Sequence, residues 1–211
     1  MTKRNRQPVV QHVTQHRKGE YPTVDVIVEH VATVGGLSTH NIAVNMSQTA
    51  VPERKYAADS CSAVLVRGTV KLLFGQTRLD GASLRALLIV QMGLSSAARF
   101  YESMVSMKDL EAIASQSPEA VPLEFTEEPT QTVELAAGLV FMAVSSSDSC
   151  LDCYQASAFS LGAAIHTKKV ALDPVVRVEL PTACVWSLFN SLKKISPKFP
   201  DLAKIKMEQL A

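Results

Sequence analysis

Hydrophobic and polar residues alternate where the chain first shows a regular pattern. Val24, Val26 and Val28 are separated by mostly polar neighbours, and this period of two is typical of a strand with one buried face. The strand is predicted to end near Gly35-Gly36. A second strand is expected at 41–46, where the apolar residues again fall on one face.

The next pattern predicts a β-hairpin followed by a buried strand. Two β-rich runs, 63–66 and 70–74, flank Arg67-Gly68, a dipeptide that suits a tight turn. Residues 84–92 are almost continuously apolar, as expected of a strand that is buried on both faces. These runs are expected to form one small antiparallel sheet.

A helix is predicted directly after this strand. Ser95 or Ser96 can cap it by accepting a hydrogen bond from the first free backbone amides, and the helix should end near Ile113. Its apolar residues recur at helical spacing and form one stripe, which consists of Ala97, Phe100, Tyr101, Met104 and Met107.

An acidic segment with three prolines, 115–132, shows neither helical nor strand periodicity and is predicted to be a linker. The patterns then return as a strand at 135–144, a return strand at 153–159, an apolar run at 175–180 and a helix over 181–195. The chain is thus divided into a flexible basic arm (1–22), a first half (23–114), the linker (115–132) and a second half (133–211).

The two halves repeat the same strand-to-helix pattern. Position 90 aligned with 178 gives an offset of 88 residues, and both strand and helix then stay in register without a gap. The helical stripe maps onto Val185, Leu188, Phe189, Leu192 and Ile195. We interpret this as an internal duplication, although any two strand-then-helix units share part of such a pattern. The predicted fold is α+β, with antiparallel sheets that carry helices on one face.

The first half resembles a small bacterial family of uncharacterised function. The residues that carry the resemblance are Tyr56-Ala57, Phe74-Gly75 and Tyr101-Glu102, whereas Ala58 and Leu73 stand where that family has Asn and Asp. The arrangement is similar to the fold of SecB, the bacterial export chaperone. The resemblance implies a SecB-like fold, an oligomer and the binding of non-native polypeptides in apolar grooves; it implies no catalytic residue.

The charge distribution favours no chain-wide electrostatic partner. The net charge is only +1, which argues against bulk nucleic acid or an anionic membrane as a general ligand. Basic residues do crowd the N-terminal arm. Lys3, Arg4 and Arg6 could contact phosphates there, so a nucleic-acid-associated accessory protein is the alternative function.

No apolar run reaches the length of about 18 residues that a membrane span requires, and no secretory signal is evident. Four cysteines at uneven spacing indicate reduced thiols in the cytoplasm. Cys150 and Cys153 have the spacing of a metal or redox pair, but a second ligand pair is missing. Ordinary thiols are therefore favoured over a metal- or thiol-dependent protein, and no metal or cofactor is expected.

No nucleophile elbow, phosphate-binding loop or dinucleotide fingerprint occurs in the chain, so we expect a protein that is not an enzyme. The apolar stripes are expected to be mainly core. Part of them could instead bind an extended polypeptide or another copy of the chain. The candidate surface comprises Phe100, Tyr101, Met104, Trp186 and Phe189, and Trp186 is the residue whose exposure matters most because it lies off the main stripe.

Overall fold

Three β-sheets and three α-helices make up the part of the chain that the computed structural model describes, residues 23–34, 37–78, 84–107, 110 and 132–200. The chain is therefore an α+β protein, as predicted. The basic arm with Lys3, Arg4 and Arg6 lies outside the described residues, as does the predicted linker except for Thr132.

The first four-stranded sheet is built mainly from the first half. Three strands form an antiparallel meander, a helix follows, and a fourth strand pairs in parallel with the third. The hairpin turn is Arg67-Gly68, with φ angles of 49° and 82°, and glycine adopts this left-handed region without steric cost. The elements are β4 (Ser60–Val66), β5 (Thr69–Thr77), β6 (Leu84–Gly93), α1 (Leu94–Val105) and β7 (Val133–Ala136).

The second four-stranded sheet has the same order of elements. Its hairpin, third strand and helix come from the second half, and its parallel edge strand comes from the first half. The elements are β8 (Leu139–Val144), β9 (Asp148–Gln155), β11 (Asp173–Pro181), α3 (Thr182–Ile195) and the short strand β3 (Lys55–Ala57).

The strand pairings in the two sheets agree residue by residue. In the hairpins, Ser60 pairs with Gly75, and the positions 79 residues further along, Leu139 and Tyr154, pair with each other. The third strands keep the predicted offset of 88 residues, and the register shift between strands two and three falls at the same place in both sheets. The two halves therefore share one geometry, which is what an internal duplication would produce.

The two halves exchange their leading strands. β3 pairs with β11 through a hydrogen bond from the amide of Ala58 to the carbonyl of Glu179 (2.8 Å), and β7 pairs with β6 through the equivalent bond from Ala137 to Gln91 (2.9 Å). Each half therefore supplies one edge strand of the other half's sheet.

A third, smaller sheet consists of β1 (Thr23–Val34), β2 (Leu37–Val44) and β10 (Lys169–Ala171). β10 and the helix α2 (Ala158–Thr167) lie between β9 and β11 in the chain. This inserted segment explains why the offset between the two halves is 79 residues in the hairpins and 88 residues in the third strands. Together with β1 and β2 it forms a second core around Tyr154, which is separate from the main core between the two larger sheets.

Some predicted element boundaries are wrong. The predicted strand 135–144 is interrupted at Ala137-Gly138, because the chain leaves one sheet there and enters the other. The return strand begins at Asp148 instead of Cys153, and Phe159 lies in α2. α1 ends at Val105, well before Ile113. Neither Ser95 nor Ser96 caps it, since the cap position is Gly93, which has no side chain to accept a hydrogen bond.

Candidate functional site

The five residues of the predicted binding surface lie on the two equivalent helices, but they differ in exposure. Phe100 and Met104 on α1 are buried in the main core, so within this chain they stabilise the fold. Tyr101, Trp186 and Phe189 are half-buried and pack at the edge of the same core. These three therefore contribute most of the exposed area of the predicted surface.

The three half-buried rings form a continuous stack across α1 and α3. Phe189 lies between the other two, with ring centroids 5.5 Å from Tyr101 and 5.1 Å from Trp186, and both pairs are nearly parallel. Phe199, beyond the end of α3, makes a tilted contact with Tyr101 at 5.9 Å. Stacked pairs of this kind add about 1 kcal/mol to the apolar burial, so the cluster joins the two helices.

A cavity of about 500 Å³ lies between α1 and β8. We call it the α1–β8 groove. Its helix side is formed by Ser96, Arg99, Phe100, Ser103 and Met107, and its strand side by residues 138–143. A second cavity of about 690 Å³ shares Ser96, Arg99, Gly138 and Leu139 with it, and continues past them to β2 and α2.

The equivalent place in the other half is closed, because α3 packs tightly on β4. Cys61 on β4 donates its thiol proton to the carbonyl of Cys184 (2.7 Å), and the hydroxyls of Ser62 and Ser191 are hydrogen-bonded at 3.3 Å. Cys184 in turn donates to the carbonyl of Asp59 at 3.0 Å.

The groove is lined by the counterparts of these same residues. At the two offsets, Cys61 and Cys184 correspond to Val140 and Ser96, and Ser62 and Ser191 correspond to Phe141 and Ser103. All four counterparts line the α1–β8 groove. Corresponding residues thus form a closed helix–strand contact in one half and line an open groove in the other.

The free edge of a β-sheet runs along the α1–β8 groove. β8 is the last strand of its sheet, and Ser145 donates its amide proton to the carbonyl of Asp148 across the hairpin. Because antiparallel bonds alternate along a strand, the backbone groups of Val140, Met142 and Val144 point away from β9. They provide donors and acceptors to which an added strand could bind.

The groove carries one positive charge that has no ion-pair partner among the described residues. Arg99 lies exposed on α1 and lines both cavities. Arg177, on the strand side, is neutralised by Asp152 through two hydrogen bonds of 2.6 Å, and the bond to this carboxylate raises the pKa of Arg177. A ligand with a carboxylate opposite Arg99 would complement this site.

The most exposed large hydrophobic side chain in the described part of the chain lies next to lining residues of the larger cavity. Phe159, in the first turn of α2, is 86% exposed, and its neighbours Ala158 and Leu161 line that cavity. Exposed aromatic rings beside a cavity are typical anchors for protein partners.

The Cys150 and Cys153 pair cannot act as one site in this structure. The two residues lie on one strand at a spacing of three, so they point to opposite faces of β9. Cys153 pairs with Val176 and is buried in the core, whereas Cys150 pairs with Glu179 on the other face. Burial raises the pKa of the Cys153 thiol to about 12. Neither a shared metal nor a disulfide fits this arrangement.

Among the residues that the structure describes, no group of three or more metal-ligating side chains comes together, and no helix is long and apolar enough to cross a membrane. Compared with protein-family models, with curated proteins and with solved structures, the chain matches none of them.

Sequence reasoning identified the helix that borders the groove but not the groove itself. Arg99, Met142 and Phe159 were not among the predicted site residues. Arg99 carried a weak signal, because it is a charged residue beside the apolar stripe of α1. No sequence signal indicated the open space beside β8. That space depends on the distance between α1 and a strand some 40 residues away along the chain.

Proposed function

We propose that this protein is a non-enzymatic polypeptide-binding protein, chaperone- or adaptor-like, which binds an extended apolar segment of another chain in the α1–β8 groove. The observation that carries the proposal is that β8 presents a free edge inside a cavity, whereas α3 closes the same site at β4. The binding of non-native chains that a SecB-like fold implies is in line with this function.

The proposed binding mode is the addition of a strand. An extended segment would pair its backbone with Val140, Met142 and Val144, and alternate side chains would enter the cavity. Apolar side chains fit beside Phe100 and Met107, which line its helix side, and an acidic residue fits opposite Arg99. Phe159 would contact the part of the segment that leaves the groove over α2.

The proposal includes self-association and a cytoplasmic location. A free edge strand can pair with the same strand of a second copy, so a homo-oligomer would use the edge of β8 when no other chain occupies it. The four cysteines are all free thiols in the structure, which suits a reducing compartment.

A proline substitution on the free edge tests the binding mode. Met142→Pro removes an outward-pointing amide without removing a bond to β9, and Met142→Leu controls for the loss of side-chain packing. We expect the wild-type protein and Met142→Leu to suppress light scattering by an aggregating, chemically denatured client protein. Met142→Pro should require roughly five times more protein for the same effect, since each lost interface hydrogen bond weakens binding by about 1 kcal/mol.

A charge reversal tests the predicted acidic contact. Arg99→Glu should weaken the binding of a fluorescent apolar peptide that carries one glutamate, and it should strengthen the binding of a matched peptide that carries lysine. Arg85→Glu is the control, because Arg85 is exposed on β6 away from both cavities. No suppression by the wild-type protein at molar excess, or equal behaviour of all the variants, would overturn the proposal.

A further inference from the structure

Two thiols from distant parts of the chain meet where α3 closes the site on β4. Cys61 lies on β4 and Cys184 is the third residue of α3, so they are 123 positions apart in sequence. The thiol of Cys61 is 2.7 Å from the carbonyl oxygen of Cys184, and the thiol of Cys184 is 3.0 Å from the carbonyl oxygen of Asp59, two residues before Cys61. Each thiol thus contacts the backbone at or close to the other cysteine, so the two side chains lie close together at the α3–β4 contact.

The surroundings make the two thiols chemically different. The hydrogen bond from Cys61 lowers the pKa of Cys184, and the first turn of a helix favours a thiolate at this position. The hydrogen bond to Cys184, together with burial, raises the pKa of Cys61 well above its ordinary value. Cys184 is thus suited to be the nucleophile, and Cys61 to be the thiol that reacts second.

This pair is not required by the geometry that the two halves share. The equivalent positions in the first half's helix and the second half's hairpin hold Ser96 and Val140, which cannot form a covalent bond. Packing alone would be served by other small residues at the α3–β4 contact, so the presence of two adjoining thiols adds a chemical property that the other copy of the site lacks.

We propose that Cys61 and Cys184 form an oxidisable dithiol, which a small peroxide converts into a disulfide that links β4 to α3. The Cys184 thiolate attacks one oxygen of hydrogen peroxide, so that a sulfenic acid forms and hydroxide leaves, which takes up a proton to become water. The sulfur of Cys61 then attacks the sulfenic sulfur, the S–O bond breaks, and the leaving oxygen takes the thiol proton to give a second water. Overall, two thiols and one peroxide give one disulfide and two waters.

The burial of the site determines which oxidant it accepts. Cys61 and Cys184 are only 6% and 2% exposed, so a bulky disulfide such as oxidised glutathione cannot reach their sulfur atoms. Hydrogen peroxide has two heavy atoms and can enter through small local openings of the structure. Cys150 is half-buried on the other sheet, where Cys153 points to the opposite face, so it has no neighbouring thiol with which to form a bridge.

The test uses the full-length, fully reduced protein. It is treated with hydrogen peroxide, the remaining thiols are alkylated, and the digest is analysed by mass spectrometry. We expect a linked peptide that contains Cys61 and Cys184, formed equally in Cys150→Ser and reversed by dithiothreitol. Because the bridge closes a loop of more than 100 residues, the Tm should rise by roughly 10 °C on oxidation.

Two matched variants distinguish the proposed chemistry from unspecific oxidation. Cys61→Val and Cys184→Ser introduce the residues that stand at the equivalent positions of the other half, which favours normal folding. Neither variant should show a peroxide-dependent rise in Tm, and Cys61→Val should accumulate oxidised Cys184 instead of a bridge. Failure of the wild-type protein to form the Cys61–Cys184 link in excess peroxide, or bridges formed mainly between molecules, would overturn the proposal.

Discussion

Tyr101 and Phe189 occupy equivalent positions in the two halves of the chain, and their rings stack on each other with centroids 5.5 Å apart and 20° between their planes. A residue can contact its own counterpart only close to the axis that relates two equivalent units. The stack therefore lies close to the approximate two-fold axis that relates the two halves, at the contact between α1 and α3.

The stack should contribute to stability through a measurable coupling. Tyr101→Ala and Phe189→Ala should each lower the free energy of unfolding by about 2–3 kcal/mol. This loss is smaller than for a fully buried ring, because each ring is only half-buried. The double variant should lose about 1 kcal/mol less than the sum of the single ones, because the pairwise attraction is counted twice. Urea unfolding of the wild-type protein, the two single variants and the double variant measures this double-mutant cycle.

Phe159→Ala is the matched control for this cycle. It removes a ring of the same size that is 86% exposed, so it should change the free energy of unfolding by less than about 0.5 kcal/mol. Additive losses in the double variant would contradict a direct contact between Tyr101 and Phe189.

The stack also shows what the sequence can predict. The offset of 88 residues paired Tyr101 with Phe189 from their places in two helical stripes, and the hairpin around Arg67-Gly68 followed from local turn chemistry. Both signals are local, because periodicity and turn preference depend on residues near each other in the chain. The contact between the two equivalent rings is not local and required the structure.

The exchanged strands could not be predicted for a related reason. β3 is only three residues long, which is too short to show a period, and its partner β11 lies more than 100 residues further along the chain. α2 was missed although Ser157 caps it by accepting from the amide of Ser160. The apolar residues that follow Ser157 are as compatible with a strand as with a helix.

The same holds for the candidate site. Phe100 and Met107, which line the helix side of the groove, were predicted together because they share the apolar stripe of α1. The two halves differ at corresponding positions, for example Ser96 against Cys184, and no pattern in the sequence shows which helix closes on its neighbouring edge strand. The open groove therefore follows only from comparing the two halves in three dimensions.

Strand exchange predicts that damage to one half's leading strand appears in the other half. Ala58→Pro removes the amide that donates to Glu179, and Ala137→Pro removes the one that donates to Gln91. Each should lower the free energy of unfolding by about 2–4 kcal/mol. In hydrogen exchange, protection should fall first in β11 for Ala58→Pro and first in β6 for Ala137→Pro.

The neighbouring residues provide matched controls for the two proline variants. The amide of Arg177 donates to the carbonyl of Arg54, and that of Ala58 donates to Glu179, so the amide of Ala57 between them points away from β11. Ala57→Pro and its counterpart Ala136→Pro should be tolerated at these edge strands. Loss of protection within β4 and β5 after Ala58→Pro would indicate that β3 belongs to its own half's sheet.

The buried thiol of Cys153 should make stability depend on pH in the alkaline range. Its pKa is raised to about 12 by burial, against 9.0 for an unperturbed thiol, so the unfolded chain ionises at a lower pH than the folded one. The stabilising effect is fully present below pH 9 and is lost as the pH rises toward 12. Between pH 8 and 10.5 this group alone should lower the free energy of unfolding by roughly 2 kcal/mol.

Removing the thiol isolates its contribution from the other groups that titrate in the same range. Cys153→Ala should be less stable than the wild-type protein at pH 8, because it leaves a small cavity, yet its stability should fall less steeply up to pH 10.5. Cys150→Ala, on the opposite face of the same strand, controls for the loss of a thiol from β9. Equal slopes for Cys153→Ala and the wild-type protein would mean that the Cys153 thiol ionises in the folded core, and its assignment to the inner face of β9 would then be wrong.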